Sequence, residues 1–213
     1  MSGREDTRRL AAESLAGGDA TGWFERLYAE AVDGRAEVPW DRPDPSASLV
    51  GAGLPRGEGR RALVVGCGPG RDAEFVAGLG YVTTAFDISA TAIAEARRRH
   101  PRTTVDYRVA DLLDPPAAWW QAFDLVVESN NVQALPRAYR ERLTATVAGF
   151  VAAGGTLLML GAVADEPDED GPPWPLVRAE VEAFATGGLT EEKIERVRVD
   201  DAERWRATFR RPK

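Results

Sequence analysis

Ala62-Leu63-Val64-Val65-Gly66-Cys67-Gly68-Pro69-Gly70-Arg71-Asp72 is the stretch that decides how the rest of this chain is read. Its first half is short, apolar and rich in β-branched residues, the composition of a strand buried in a parallel sheet. Three alternate glycines break that run, and Asp72-Ala73-Glu74-Phe75-Val76-Ala77 then opens a helical pattern. Strand, glycine turn and helix together let bare main chain press close to a nucleotide-like ligand. A Cβ in such a turn would hold the ligand off, and tight turns often need positive φ. An ordinary strand-to-helix turn has the same outline, so the surroundings must decide.

Seventeen residues after Gly70, Asp87 closes a second apolar run, Tyr81-Val82-Thr83-Thr84-Ala85-Phe86. A carboxylate at the tip of a second strand can accept hydrogen bonds from ribose hydroxyls, which points to an adenosine-containing cofactor. A dinucleotide fingerprint would place its third glycine at position 71. Arg71 stands there instead, and the glycine sits at 70.

These residues resemble the Rossmann-type, class I S-adenosylmethionine-dependent methyltransferases, whose first motif is similar to Val64-Val65-Gly66-Cys67-Gly68-Pro69-Gly70. The resemblance continues through Asp87, Ala110-Asp111-Leu112 and Phe123-Asp124-Leu125-Val126-Val127-Glu128, and covers most of residues 61–211. Val38-Pro39-Trp40-Asp41-Arg42 and Gly171-Pro172-Pro173-Trp174 resemble the thiopurine, thiol and halide methyltransferase branch. After Trp40-Asp41 the chain departs from that branch, reading Arg42-Pro43-Asp44 where a glycine is expected.

The resemblance implies S-adenosyl-L-methionine as cofactor. It implies bare main chain at Gly66, Gly68 and Gly70, a ribose contact at Asp87, and Ile88 and Leu112 flanking the adenine. Asp111 would bond the adenine amino group, or else cap the turn into Leu112-Leu113-Asp114-Pro115. An N-terminal helix and the Pro-Trp-Asp segment would cover the cofactor. Trp40 and Trp23 would face its sulfonium, since a cation is attracted to a ring face, or else the apolar face that carries Trp23 docks on the core, as such faces usually do. Tyr28, Asn130, Asn131 and Trp174 are candidate acceptor contacts; for Asn130 and Asn131 turn chemistry is an equal alternative.

Beyond residue 61 the pattern alternates strand and helix, with strands expected near 62–66, 81–87, 105–109, 123–128 and 155–162. Ser89 is a candidate N-cap for a helix over Thr91–Arg99, closed by Pro101. Two last runs, Lys193–Val199 and Trp205–Arg211, are joined by a linker around Asp200-Asp201 too short for anything but antiparallel pairing. The expected fold is therefore α/β: a doubly wound, Rossmann-like, mostly parallel sheet of seven strands. It ends in an antiparallel C-terminal pair and carries an N-terminal helical lid. Residues 1–60 are read as lid and connector and 61–213 as the core of one structural domain. Within the lid, apolar positions at 23, 24, 27, 28, 31 and 32 have helical spacing over residues 22–33, and Gly34 is the stop.

With 213 residues, 27 basic against 34 acidic, the chain has a net charge of −7, which disfavours nucleic acid as an obligate partner. Cys67 is the only cysteine, which excludes an intrachain disulfide. No leader is read at the start and no apolar run approaches a membrane span, so a cytoplasmic location is expected. Cys67 reads as a small residue beside the ligand, and His100 as a surface residue. No clustered metal-ligand motif occurs.

Glu128, at the end of four apolar residues, either meets a cation or lies in a wet cleft. Cofactor ammonium, substrate amine and a structural arginine are all open partners for it. Glu128 and Asp41 are the candidate bases. Asp165-Glu166-Pro167-Asp168-Glu169-Asp170 reads as a solvated loop, or as a screen against anionic substrates. The absence of an evident base leans toward sulfur or nitrogen over oxygen, because thiols ionise near neutral pH. The expected activity is methyl transfer to a small molecule at sulfur or nitrogen. The alternatives are an O-methyltransferase, a nicotinamide-dependent oxidoreductase and a non-catalytic binding module.

Overall fold

A computed structural model describes residues 3–168 and 170–213. Seven strands form one sheet: β1 Arg61–Val64, β2 Val82–Asp87, β3 Asp106–Val109, β4 Phe123–Ser129, β5 Val151–Ala162, β6 Thr190–Val199 and β7 Ala202–Arg210. Their order across the sheet is β3-β2-β1-β4-β5-β7-β6. The first five run parallel, and β7 pairs antiparallel with both β5 and β6. This is the methyltransferase form of the Rossmann-like fold. From β1 the chain winds outward first to β2 and β3, then returns to lay down β4 and β5 on the other side. That reversal opens a crevice at the carboxyl ends of β1 and its neighbours.

Helices cover both faces. α4 (Arg71–Gly78) and α5 (Ala90–Arg99) bury Ala73, Val76, Ile93 and Ala96 against Val64, Leu125, Val127 and Leu158. α6 (Arg140–Gly149) and α7 (Arg178–Glu182) put Leu143, Val147 and Val181 on the other face, with Leu63, Val126, Leu157 and Phe209. Alternate strand residues thus feed opposite cores, as the two-residue period of a sheet requires. A third cluster joins α1 (Gly3–Ala16) to α2 (Gly22–Val32) through Leu10, Trp23, Leu27 and Tyr28, with Val38 and Ala92 beside them. A short α3 (Ala47–Val50) lies within the connector.

Local chemistry explains most boundaries. Ser89 caps α5 as expected, its Oγ accepting from Ala92 N at 3.0 Å. Asp200 and Asp201 both take positive φ, 47° and 60°, the two-residue turn whose twist suits a hairpin. β5 starts four residues earlier than the sequence suggests. Gly154-Gly155 does not end the strand; it allows a register shift opposite Phe123 and Leu125, so that Val151 still pairs with Phe123. No helix among the described residues is long and apolar enough to cross a membrane.

Candidate functional site

The glycine turn leaves β1 with Gly66, Gly68 and Gly70 at φ 53°, 51° and 95°, a region that L side chains rarely adopt. Each α-carbon also faces another part of the chain. A Cβ at Gly66 would collide with Asn131 Oδ1, one at Gly68 would meet the Tyr28 hydroxyl at 2.8 Å, and one at Gly70 would collide with the Tyr107 hydroxyl. The turn is thus packed under polar groups from three separate elements. Tyr107 is itself fixed by donating to Glu74 Oε1 at 2.8 Å.

Asp87, 7% exposed at the end of β2, organises the turn. Its Oδ2 accepts from Gly68 N at 2.9 Å and its Oδ1 from Ser89 N at 2.9 Å. Burial raises its pKa to about 6, against the opposing pull of those two N–H groups. Cys67, beside it, is buried, and both burial and the Asp87 charge push its thiol well up, so it stays neutral.

Gly66, Asp87, Ile88, Asp111, Leu112 and Asn131 come together around one open crevice at the carboxyl ends of the strands. Val65, Phe86 and Leu135 form its apolar floor, and Thr21 and Phe24 close it from the N-terminal side. The mix of apolar wall with a few convergent polar groups suits a small ligand. Asp111 also caps its own turn, accepting from Leu113 N at 2.8 Å. Both readings of that residue are compatible with its place on the wall. The bare main chain, the buried carboxylate above Gly68 and the apolar walls fit the adenosine part of a nucleoside cofactor.

The lid departs from expectation in which ring it presents. Trp23 is 1% exposed, inside the α1–α2 core, and does not line the crevice; Phe24, stacked on it with centroids 3.7 Å apart, does. The reason is helical phase. Positions 23 and 27 face α1, while 24 and 28 lie one step round, toward the glycine turn. Both 23/27 and 24/28 are i, i+4 pairs, so the spacing alone does not single out Phe24. Trp40 stays half-exposed and donates from Nε1 to the Tyr28 hydroxyl at 2.8 Å, which places Tyr28 over Gly68 rather than in open space. Burial and the nearby Asp87 charge push the Tyr28 phenol well above its usual value.

Two carboxylates hang the lid on α5. Glu25 accepts from Ser89 Oγ at 2.6 Å, Thr91 Oγ1 at 2.5 Å and Thr91 N at 3.1 Å, at the positive end of that helix. At the other end, both Asp41 oxygens are held by Arg99 at 2.7 Å. Asp41, a candidate base, is thus engaged in a bidentate ion pair that anchors the Trp40 segment.

Glu128, the other candidate base, lies buried near the end of β4. It is 1% exposed, and its Oε1 accepts from Asn131 N at 2.6 Å and Val132 N at 2.9 Å. Its Oε2 is buried without a hydrogen-bond partner, and burial raises the group to about 7. Of the proposed acceptor contacts, Asn131 is structural as well as crevice-lining, donating from Nδ2 to Val65 O at 2.8 Å. Asn130 is the exposed left-handed residue of the turn, φ 65°. Trp174, the expected acceptor contact in the loop after β5, is 6% exposed and packs over Gly171. Trp119 packs on Phe86, Phe123 and Phe150, as core. In the acidic run, Asp165 pairs with Arg196 and Asp168 accepts from Asp170 N, while Glu169 lies outside the described residues.

Comparison with known proteins agrees with this geometry. Residues 62–155 match the family model described as a methyltransferase domain. The chain is 29% identical over 189 residues to a probable thiol methyltransferase 2 of Arabidopsis thaliana, covering 85% of this chain and 77% of that protein. A solved structure described by the conversion of a disulfide bond into a thioacetal group during echinomycin biosynthesis superposes with a TM-score of 0.71. It is 24% identical and covers 89% of this chain and 93% of its own. The N-methyltransferase NodS of Bradyrhizobium japonicum, in complex with S-adenosyl-l-homocysteine, superposes over 100% of both chains with a TM-score of 0.62 at 19% identity.

Proposed function

We propose that this chain is a class I S-adenosylmethionine-dependent methyltransferase that delivers the methyl group to a small-molecule sulfur or nitrogen nucleophile, with sulfur the better fit. The observation that carries the choice is the fate of the two candidate bases. Asp41 is committed to Arg99, and Glu128 is buried with one oxygen committed to backbone N–H groups. An acceptor that ionises by itself near neutral pH suits such a site better than an alcohol, which needs its proton removed. The likeness to a probable thiol methyltransferase supports the same direction.

When bound, S-adenosylmethionine supplies an electrophilic methyl group on a sulfonium. The chain's own task is then positioning and exclusion of water. Asp87 would accept from ribose hydroxyls while keeping the Gly68 N–H. Ile88 and Leu112 would flank the adenine, with Asp111 at its edge. Phe24, Tyr28 and Trp40 would close the lid over the turn. On this reading residues 1–60 are lid and connector, residues 61–213 are the donor-binding core, and the partner is a small molecule rather than nucleic acid or membrane. A cytoplasmic setting belongs to the same reading, supported by a lone, buried, un-ionised cysteine.

The test is transfer of labelled methyl from S-adenosylmethionine to a panel of thiols, nitrogen heterocycles, amines, alcohols and halides. Transfer to thiols above all others is expected. Binding of S-adenosylhomocysteine with label passing only to alcohols would overturn the acceptor assignment.

A further inference from the structure

We propose that Arg140 is a positioning residue for the methyl acceptor, acting by tying the turn after β4 to the loop after β5. The inference rests on the function proposed above, because it takes these two segments to be the wall against which the acceptor is held. In this fold, loops at the carboxyl ends of neighbouring strands flank the ligand.

The guanidinium of Arg140 is buried and makes bonds in three directions. Nη1 donates to Val132 O in the turn after β4, and Nη2 donates to Trp174 O, 2.8 Å away, in the loop after β5. Nε donates to Glu180 Oε1 at 3.1 Å. Glu180 in turn is held by Arg137, whose Nη2 reaches Pro175 O at 2.9 Å in the same loop. Glu180 stays ionised below the usual carboxylate range through these partners, despite partial burial.

The Val132 peptide is therefore gripped from both sides, its N–H by Glu128 Oε1 and its carbonyl by Arg140. The next residue completes the joint. Gln133 Oε1 accepts from Ala162 N at 2.7 Å, and Gln133 O accepts from Trp174 N at 2.8 Å. A planar guanidinium with five fixed donors can bridge two carbonyls and a carboxylate at once; a lysine ammonium cannot span them.

Arg140→Lys is the decisive variant, with Glu180→Gln as a milder second that keeps both carbonyl bonds. Three measurements are made on the full chain. They are amide exchange of residues 129–135 and 163–177, calorimetric affinity for S-adenosylhomocysteine, and methyl transfer to thiophenol as the acceptor probe. For R140K we expect exchange in both segments to rise together by about tenfold, the size set by losing a charge-assisted bond. Thiophenol KM should rise by a similar factor, while cofactor affinity and kcat stay within about threefold. E180Q should shift the same readings less. Loosening of one segment alone, or equal loss of cofactor affinity and kcat, would overturn the inference. A wild-type chain that fails to bind S-adenosylhomocysteine would instead sink the underlying function. If wild type binds it but leaves thiophenol unmethylated, the KM readings are taken with the best acceptor of the panel, and an unchanged KM in R140K overturns the inference.

Discussion

The Tyr28 hydroxyl stands over the α-carbon of Gly68, so close that a Cβ there would meet its oxygen at 2.8 Å. The same hydroxyl accepts from Trp40 Nε1. The lid is thus seated on the glycine turn itself, and two separate physical demands fall on position 68. One is backbone: φ is 51°, which costs a residue with a Cβ roughly 1–2 kcal/mol. The other is space beneath Tyr28. Gly68→Ala should lower Tm by about 2–8 °C and weaken S-adenosylhomocysteine binding about tenfold or more. Adding Tyr28→Phe removes the crowding oxygen but also the acceptor for Trp40 Nε1, so it should restore part of the Tm and not all of it. Thermal melts and titration calorimetry of the two variants check this, and unchanged binding by G68A would show that bare main chain is not needed.

Asp41 separates anchoring from acid–base work. Its pair with Arg99 is only partly buried, so the ion pair should be worth about 0–1 kcal/mol of stability. Asp41→Asn is expected to leave the pH–rate profile of methyl transfer unmoved while raising amide exchange across residues 33–46. A lost acid-side limb in the profile would instead return Asp41 to the chemistry as a base.

Most of the sheet could be read from the chain because strand period, glycine turn and hairpin linker are local signals. Ser89, Asp87 and the Asp200-Asp201 turn behave as their residue types dictate. The crevice wall was legible where it belongs to strand ends, at Gly66, Asp87, Ile88, Asp111 and Leu112. What could not be read was which partner each polar group finds across the fold. Asp41 meets Arg99, 58 positions away, and Glu25 meets Ser89 and Thr91 across more than 60. No periodicity encodes such pairs. Trp23 was misplaced for a different reason: adjacent aromatics on a helix point about a quarter-turn apart, and choosing between Trp23 and Phe24 requires knowing where α1 lies.

Cofactor affinity should depend on pH through Asp87. Burial lifts its pKa to about 6, so below that value the group gains a proton and loses an acceptor site. The carboxylate form is the one that holds Gly68 N–H and can receive ribose hydroxyls. Affinity for S-adenosylhomocysteine is expected to be flat above that value and to fall by up to about tenfold per pH unit below it. Asp87→Asn should bind weakly at every pH. Calorimetry between pH 5 and 8, about the range in which the group titrates, distinguishes this from a general acid loss of fold. A wild-type affinity with no pH dependence would remove Asp87 from the ribose role.

Glu128 makes an opposite kind of prediction, about stability alone. Its carboxyl is raised from an ordinary 4.5 to about 7, chiefly by burial, and Oε2 has no partner to offset that burial. In the unfolded chain it ionises near the ordinary value. Across the interval between the two, the folded state therefore holds a proton that the unfolded state has released, and stability falls as pH rises. Glu128→Gln keeps an oxygen to accept from Asn131 N and Val132 N but cannot ionise. Relative to wild type, E128Q should therefore gain stability as pH rises from 5 and level off above about 7, by an amount of order 1–3 kcal/mol. Paired denaturant titrations at each pH cancel the contribution of every other acid in the chain, because both proteins share them. A difference that stays constant across that range would mean Glu128 is ionised throughout, and that a cation or a water-filled space reaches its second oxygen.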